Sequence, residues 1–220
     1  MWIRENIGKS AQDILSLQLE KRFSNWWGAR ASYSIGSARG HSDGSPDFVN
    51  NFQVLEQRNL DLTWGPLAVD RKHLLTLSSR LEVPRTGGVT VSAVHRFMSG
   101  RPINMINSAV DADRNGRLFD PLPAGTYKGT GQNAITVKNK GGRNGARGPT
   151  YSELDLRVGY RLQLGGVRTL DMFAEVFNVT NEPNFNNPTG DMPSASFLSV
   201  GSLFGGGIPR QLQVGVRLGF

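Results

Sequence analysis

The sequence contains no cysteine and only three histidines in 220 residues. The lack of cysteine excludes disulfide bonds and thiolate metal sites, although it does not identify a cellular compartment. His41, His73 and His95 share no spacing that suits a metal site. No stretch approaches the roughly 18 apolar residues of a transmembrane helix. No long segment carries the apolar stripe of an amphipathic helix either, so the sequence favours an all-β protein.

The excess of positive charge is modest and dispersed. Lysine and arginine number 25 against 18 aspartates and glutamates, which gives a formal net charge of +7. A basic balance can indicate nucleic-acid binding. Here, however, the longest purely basic runs contain two residues, at Lys21-Arg22 and Arg71-Lys72. We interpret the basic residues as solvated positions and expect no nucleic-acid partner.

Seven segments alternate apolar and polar residues with a period of two, the pattern of strands that have two different faces. In the fifth segment, Leu156, Val158 and Tyr160 share one face, and Arg157 and Arg161 share the other. The segments are residues 12–23, 29–36, 72–83, 89–98, 152–164, 168–179 and 210–220.

The connections between these segments alternate strictly between short and long. The short ones are Ser24–Trp27, Pro84–Gly88 and Gly165–Val167, and the long ones are residues 37–71, 99–150 and 181–208. Several very long loops argue against a soluble β-sandwich. Outer-membrane barrels have short periplasmic turns and long extracellular loops. The pattern predicts an all-β, antiparallel transmembrane β-barrel segment of about seven strands, with its apolar face on lipid and its charged face in the lumen.

Aromatic residues lie beside the first short turn and at the last position. Phe23, Trp26 and Trp27 fit an aromatic girdle at the periplasmic interface, and Phe220 would lie at the same level. An ordinary buried pair is the alternative for Trp26-Trp27.

Several motifs in order resemble the barrel end of TonB-dependent outer-membrane receptors that carry an N-terminal carboxypeptidase-regulatory-like domain. These motifs are Gly142–Pro149, Leu154–Val158, Ala174–Asn181, Pro183–Phe185 and Pro209–Phe220, together with Ser99–Pro102 and Asp111–Gly116. The resemblance covers residues 72–220 well and the first third by pattern only. No single motif is specific, but their order and spacing together are.

The resemblance implies a plugged barrel of about 22 strands that takes up a scarce nutrient, such as a metal chelate or a glycan. It implies a location in the bacterial outer membrane, with lipid and the barrel-assembly machinery as partners. Phe220 resembles the terminal aromatic residue that this machinery recognises. The chain lacks a plug and a signal peptide, since Met1–Glu5 has no basic and apolar regions. We therefore expect residues 1–220 to be one partial barrel domain, whose N-terminal barrel portion and plug are missing here.

The fifth and sixth strands allow a register to be predicted. A three-residue turn at Gly165–Val167 would pair Leu164 with Arg168. The same register pairs Arg157 with Glu175 and Arg161 with Asp171 as lumen salt bridges. It also places Phe173 opposite Gly159, where the ring could cover bare backbone.

The 111–120 loop contains a candidate calcium site. Asp111, Asp113 and Asn115 have the alternate spacing of oxygen ligands at the start of a calcium loop, and Gly116 suits the turn. The closing acidic position is occupied by Leu122, although Asp120 is near. A polar turn without metal is the alternative, and we expect no other cofactor.

No arrangement of residues supports an enzyme. Asp155, Asp171 and Glu175 could be interpreted as paired catalytic carboxylates, but salt bridges to lumen arginines explain them better. Two other functions remain open beside the transporter. One is a small stand-alone outer-membrane barrel with a structural or adhesive role, and the other is a soluble carbohydrate-binding β-sandwich.

Overall fold

The computed structural model describes residues 8–42, 60–116, 118, 120–205 and 207–220. The first five residues, on which the expectation about a signal peptide rests, lie outside this range. No helix in the described part of the chain is long and apolar enough to cross a bilayer. The helical element that the structure describes is a single 3-10 turn at Leu60–Thr63.

Seven long strands, numbered β1 to β7 in chain order, form the main sheet, as the alternating pattern predicts. The largest difference from the predicted bounds is at β2, which continues to Gly40 instead of ending at residue 36. The strands are β1 (Ser10–Ser24), β2 (Trp27–Gly40), β3 (His73–Glu82), β4 (Val89–Met98), β5 (Tyr151–Gly165), β6 (Arg168–Phe177) and β7 (Gln211–Gly219).

Each long strand pairs antiparallel with its neighbour in sequence, so the sheet is an up-and-down meander. The two-residue strand Gly65–Pro66 adds to the sheet beside Arg39 and Gly40 of β2. Among the described residues β1 and β7 form the two edges, and the sheet does not close into a complete barrel.

The turn between β1 and β2 consists of Asn25 and Trp26, both with positive φ, at 51° and 72°. Two successive positive φ values characterise a type I′ turn, whose twist suits a β-hairpin. Asparagine adopts this conformation readily, whereas for a bulky residue such as tryptophan it is unusual. The turn places the Trp26 ring outside the sheet, with 60% of its surface exposed.

The turn between β5 and β6 differs from the prediction. Arg168 pairs with Gly165 and not with Leu164, because the register shifts between Gln163 and Gly165. Gly165 and Gly166 both have positive φ, so glycine lets the strand bulge and the chain reverse in two residues. From Gln163 back to Leu156, away from the turn, the register is nevertheless the predicted one, and it pairs Leu162 with Leu170.

The long loops contain secondary structure of their own. Short antiparallel pairs form within the 99–150 connection, and two bridges join it to the last loop, from Ile106 to Asp191 and from Ala134 to Ser199. The short strands are Pro102–Ile103, Ile106–Asn107, Asp120–Pro121, Gly125–Lys128, Thr136–Asn139 and Ala146–Arg147.

The hydrophobic core of the described structure lies in these loops and not on the main sheet. Met105 and Leu198 are fully buried, although they are far apart in sequence. The core consists of Ile103, Met105, Leu122, Val137, Ala146, Phe197 and Leu198, with Tyr127 and Ile135 packed against it. The two long loops therefore fold together into one layer at the end of the sheet where β4 ends.

The apolar face of the main sheet is uncovered. Leu19 on β1, Val158 on β5 and Val214 on β7 are 75%, 49% and 71% exposed, so the face is open from one edge strand to the other. A soluble protein rarely leaves so large an apolar surface open. No second sheet packs on this face within the described residues. The described residues therefore do not bury this face as a β-sandwich would.

Candidate functional site

The opposite face of the main sheet carries most of the charged side chains of the strands. Strand pairing keeps facing residues on the same side of a sheet, so the registers join these side chains into one charged face. Arg157 lies 3.5 Å from Glu175, and Arg161 lies 2.5 Å from Asp171. The structure thus brings together the four charged residues in the two pairs that the hairpin register predicts.

A second charged group lies toward the loop end of the same face. Arg96 contacts Glu153 at 3.5 Å and Asp155 at 2.8 Å. Tyr151 donates a hydrogen bond to Glu153 at 2.7 Å, and the backbone N–H of Asn178 donates to Asp155 at 3.0 Å. These contacts satisfy two nearly buried carboxylates and attach the start of the last loop to the wall.

The three acidic residues with an alternative catalytic interpretation each contact an arginine. Asp155 contacts Arg96, Asp171 contacts Arg161, and Glu175 contacts Arg157. A pair of cooperating carboxylates would instead share one reaction centre. We therefore keep the interpretation of these residues as parts of a charged wall.

Near the short turns the charged face forms an open depression of about 780 Å³. Arginines outnumber acidic residues in its lining, with Arg80, Arg85, Arg157, Arg161 and Arg217 against Glu82 and Asp171. Phe173 also lines it and lies beneath the guanidinium of Arg157, 4.0 Å from the ring centre. The depression suits water or a polar protein surface better than lipid.

The position of Phe173 corrects a prediction. The ring does not cover Gly159, although the two residues are directly opposite. It covers Gly215 on the other neighbouring strand, where an added Cβ would collide with Phe173 Cζ. The space over Gly159 is occupied by the hydroxyl of Thr90, at 2.8 Å from such a Cβ. The side chain from β4 therefore explains why the ring turns toward β7.

Polar contacts hold the loop layer to the sheet. Arg147 forms an ion pair with the carboxylate of Asp70, and its guanidinium also donates a hydrogen bond to the backbone carbonyl oxygen of Asp70 at 2.7 Å. Asp70 also accepts from the backbone of Ala38 at 2.8 Å. Asn184 makes two reciprocal hydrogen bonds with the backbone of Ser152, at 2.7 and 3.0 Å. The described parts of all three long connections are thus fixed over one end of the wall.

The candidate calcium loop gathers Asp111, Asp113 and Asp120, whose carboxylate oxygens all lie within 4.8 Å of one another. Asn115 contacts these carboxylates through its side-chain nitrogen and not its oxygen, because the amide N–H donates a hydrogen bond to Asp113 at 2.8 Å. Backbone N–H groups also donate to these carboxylates, including Gly116 to Asp111 at 2.9 Å. Desolvation, with the charges of Asp120 and Asp111, raises the pKa of Asp113. This oxygen-rich group is chemically suited to Ca²⁺.

The predicted girdle residues lie at the turn end of the sheet. Trp26 and Trp27 are 60% and 45% exposed, and Phe220 is 93% exposed beyond the end of β7. Gly219 pairs with Thr169 beside the β5–β6 turn, which places Phe220 at the same end as Trp26. The Lys21 ammonium lies 4.2 Å from the centre of the Trp27 ring.

Two features of the loop end were not predicted from the sequence. One is the loop core, for which a signal existed in the apolar residues Ile103, Met105 and Leu198 inside polar connections. The other is a contact of Arg71 and Arg101 with Phe204, which no local pattern reveals.

A family model described as "Outer membrane beta barrel domain" matches residues 1–213 of the chain. Searches of curated proteins and of solved structures found no match. The family match accounts for an apolar face without a covering layer, since that face is turned to lipid in such barrels.

Proposed function

Because the chain belongs to the family of outer membrane beta barrel domains, we propose that it forms wall strands and extracellular loops of a TonB-dependent transporter. The protein is located in the bacterial outer membrane. The transported solute would be a scarce nutrient such as a metal chelate or a glycan, and the chain itself would have no enzymatic activity.

The observation that carries the proposal is the combination of an open charged wall with a folded loop layer at one end. A small barrel fills its interior with side chains, whereas a large barrel leaves a polar lumen. The charged face has a depression of about 780 Å³ instead of an interdigitated core. Its excess of arginine suits water and a second protein surface, which in a transporter is the plug.

The edges of the sheet also favour a large barrel. The described β1 and β7 each pair on one side only. Unpaired backbone N–H and C=O groups are not tolerated in lipid, which supports a wall that further strands complete. We propose that these strands and the plug belong to the same receptor, and that the barrel-assembly machinery inserts the whole.

A stand-alone barrel with a structural or adhesive role is the competing proposal. The loop layer would suit adhesion, because its fixed surface could contact another cell. The charged lumen face favours transport, since an adhesin needs no polar passage through its wall.

A deletion strain separates the two functions. Uptake of radiolabelled iron chelates and of oligosaccharides is measured in the parent, in the deletion strain and in a strain without TonB. A transporter predicts that uptake of at least one compound falls equally in both mutants. Normal uptake of every compound, together with weakened surface attachment, would contradict transport and support the adhesive role.

A further inference from the structure

Two arginines from different connections meet on one aromatic ring at the loop end of the wall. Arg71 precedes β3, Arg101 follows β4, and Phe204 belongs to the last loop. The guanidinium carbons lie 5.2 Å and 4.7 Å from the centre of the Phe204 ring. The ring also packs edge-on against Tyr151, with centres 5.7 Å apart. Three separate segments thus converge to hold two positive charges together.

The positive charges of this cluster are not neutralised within the described part of the chain. No carboxylate there lies within salt-bridge distance of Arg71 or Arg101. Other arginines near the loop layer do have acidic partners, as Arg147 has Asp70 and Arg96 has Asp155. Burial and the neighbouring charge of Arg101 together lower the pKa of Arg71.

Hydrogen bonds hold parts of this cluster in place, although the two positive guanidinium groups repel each other. Arg71 donates a hydrogen bond to the carbonyl oxygen of Ser99 at 2.7 Å, which leaves other N–H groups of its guanidinium for a ligand. The backbone of Arg101 is also fixed, because its carbonyl oxygen accepts hydrogen bonds from the N–H of Gly148 at 2.9 Å and from the Asn187 amide at 3.4 Å. The guanidinium of Arg71, which its hydrogen bond already holds, would lose less side-chain entropy on binding a ligand than a free one.

We propose that Arg71, Arg101 and Phe204 form a binding site for an anionic group, a phosphate or a carboxylate, on the solute that enters the barrel. Guanidinium groups match the planar or tetrahedral oxygens of both anions with paired hydrogen bonds. An anion between the two arginines would replace their mutual repulsion with two attractions. The Phe204 ring would support apolar parts of the same solute.

The position of the site indicates a soluble ligand and not a lipid headgroup. Tyr151, which packs on Phe204, pairs with Met98 and lies on the same face as Glu153 and Arg157. This is the charged face, which is turned to the lumen, so the cluster lies at the mouth of the passage. The assignment of the anion to a transported solute rests on the proposed function.

The test is calorimetric titration of the full-length protein, purified from outer membranes in detergent micelles. Inorganic phosphate and citrate are the probes, glucose is the neutral control and purified lipopolysaccharide represents the lipid source. We expect phosphate or citrate to bind the unmodified protein. The side chain of Arg101 makes no hydrogen bond to any other residue that the structure describes. Arg101→Gln should weaken binding by about tenfold or more. Arg71→Gln/Arg101→Gln should remove it.

Two further variants show whether the geometry of the cluster matters. Arg71→Lys/Arg101→Lys keeps both charges but loses the paired donors, so it should bind the anion more weakly than the unmodified protein. Arg168→Gln removes the same charge at the opposite end of the wall and should leave binding unchanged. Heat-modifiable migration on gels verifies that each variant is folded.

Several results would overturn the site. These are equal binding by Arg101→Gln and the unmodified protein, equal loss in Arg168→Gln, or binding of lipopolysaccharide with no binding of either soluble anion. The two proposals fail separately. Anion binding together with normal uptake in the deletion strain would support the anion site and refute the transport function. TonB-dependent uptake without anion binding would support the transport function and refute the anion site.

Discussion

At the residue scale, the shape of the charged face depends on where Phe173 places its ring. The ring fills the space above Gly215 and supports the guanidinium of Arg157. Glycine at position 215 is therefore explained by a close contact and not by a special backbone conformation. The same side chain links β5, β6 and β7 on the lumen side.

Substitution of Gly215 tests this contact. Gly215→Ala should reduce the free energy of unfolding by about 1–3 kcal/mol, because its Cβ would collide with a rigid ring. Gly159→Ala should cost less, since the nearest atom there is a hydroxyl that can rotate away. Phe173→Leu should relieve most of the loss in the Gly215→Ala protein. The measurement is urea unfolding of the full-length protein in micelles. Equal losses for both glycines, or no relief, would contradict the assignment.

The acidic loop allows a metal prediction. Asp111, Asp113 and Asp120 concentrate negative charge in a small volume, so Ca²⁺ should bind and should offset their repulsion. Asp111→Asn and Asp120→Asn should each lower calcium affinity by about tenfold or more in calorimetric titration. Glu182→Gln, an exposed site in another loop, serves as the control. If the unmodified protein gives no saturable binding isotherm with Ca²⁺ at any temperature tested, the loop is a polar turn held by its own backbone hydrogen bonds.

Phe220 allows a prediction about assembly. Its side chain is 93% exposed at the end of the wall, so it is free to contact another protein. Deletion of Phe220 from the full-length protein should reduce its amount in the outer membrane, and Phe220→Ala should do so more weakly. Quantitative immunoblots of purified outer membranes measure both, with Val167→Ala as a control at the same end. An unchanged amount of protein after the deletion would show that Phe220 only packs against lipid and is not needed for assembly.

At the element scale, the strands could be predicted well because two independent signals agree. Alternation fixes which residues share a face, and short turns fix which residues are opposite. Together they predict the pairs Arg157 with Glu175 and Arg161 with Asp171. The signals fail at Leu164, because consecutive glycines allow a bulge that shifts the last pair. They also fail at Phe173, where the choice between two glycines depends on Thr90 from a distant strand.

A disulfide tests the β5–β6 register directly, since the chain has no cysteine of its own. Gln163 and Thr169 are directly opposite on neighbouring strands. Oxidation of Gln163→Cys/Thr169→Cys should therefore form an unstrained disulfide between the two strands, because opposite Cα atoms are about 5 Å apart. Gln163→Cys/Asp171→Cys should not, because diagonal neighbours are about 7–8 Å apart. Mass spectrometry of peptides from the unreduced protein distinguishes the two. A crosslink only in the second pair would refute the register.

The loop layer could not be predicted in the same way. Its core joins residues from Ile103 to Leu198, and no period relates positions so far apart. Its fixing contacts are single side chains, such as Asn184 on the backbone of Ser152. The charged wall of the candidate site was therefore predictable from the strands, whereas the Arg71, Arg101 and Phe204 cluster was not.

At the scale of the whole molecule, the described structure reverses the usual arrangement of a soluble protein. Its apolar sheet face is open, and its core lies in the loops that cover one end. The arrangement is stable if lipid covers the open face and water contacts the loops and the lumen. This is the central claim, and it requires that the loops lie outside the cell and the short turns in the periplasm.

Labelling of single cysteines in intact cells tests that claim most directly. Val110 and Met192 are exposed in two long loops, and Val167 is 84% exposed in a short turn. In a full-length protein with no other cysteine, a membrane-impermeant maleimide should label Val110→Cys and Met192→Cys in intact cells. It should label Val167→Cys only after the outer membrane is permeabilised. Labelling of Val167→Cys in intact cells, with the loop positions protected, would contradict the orientation of the barrel.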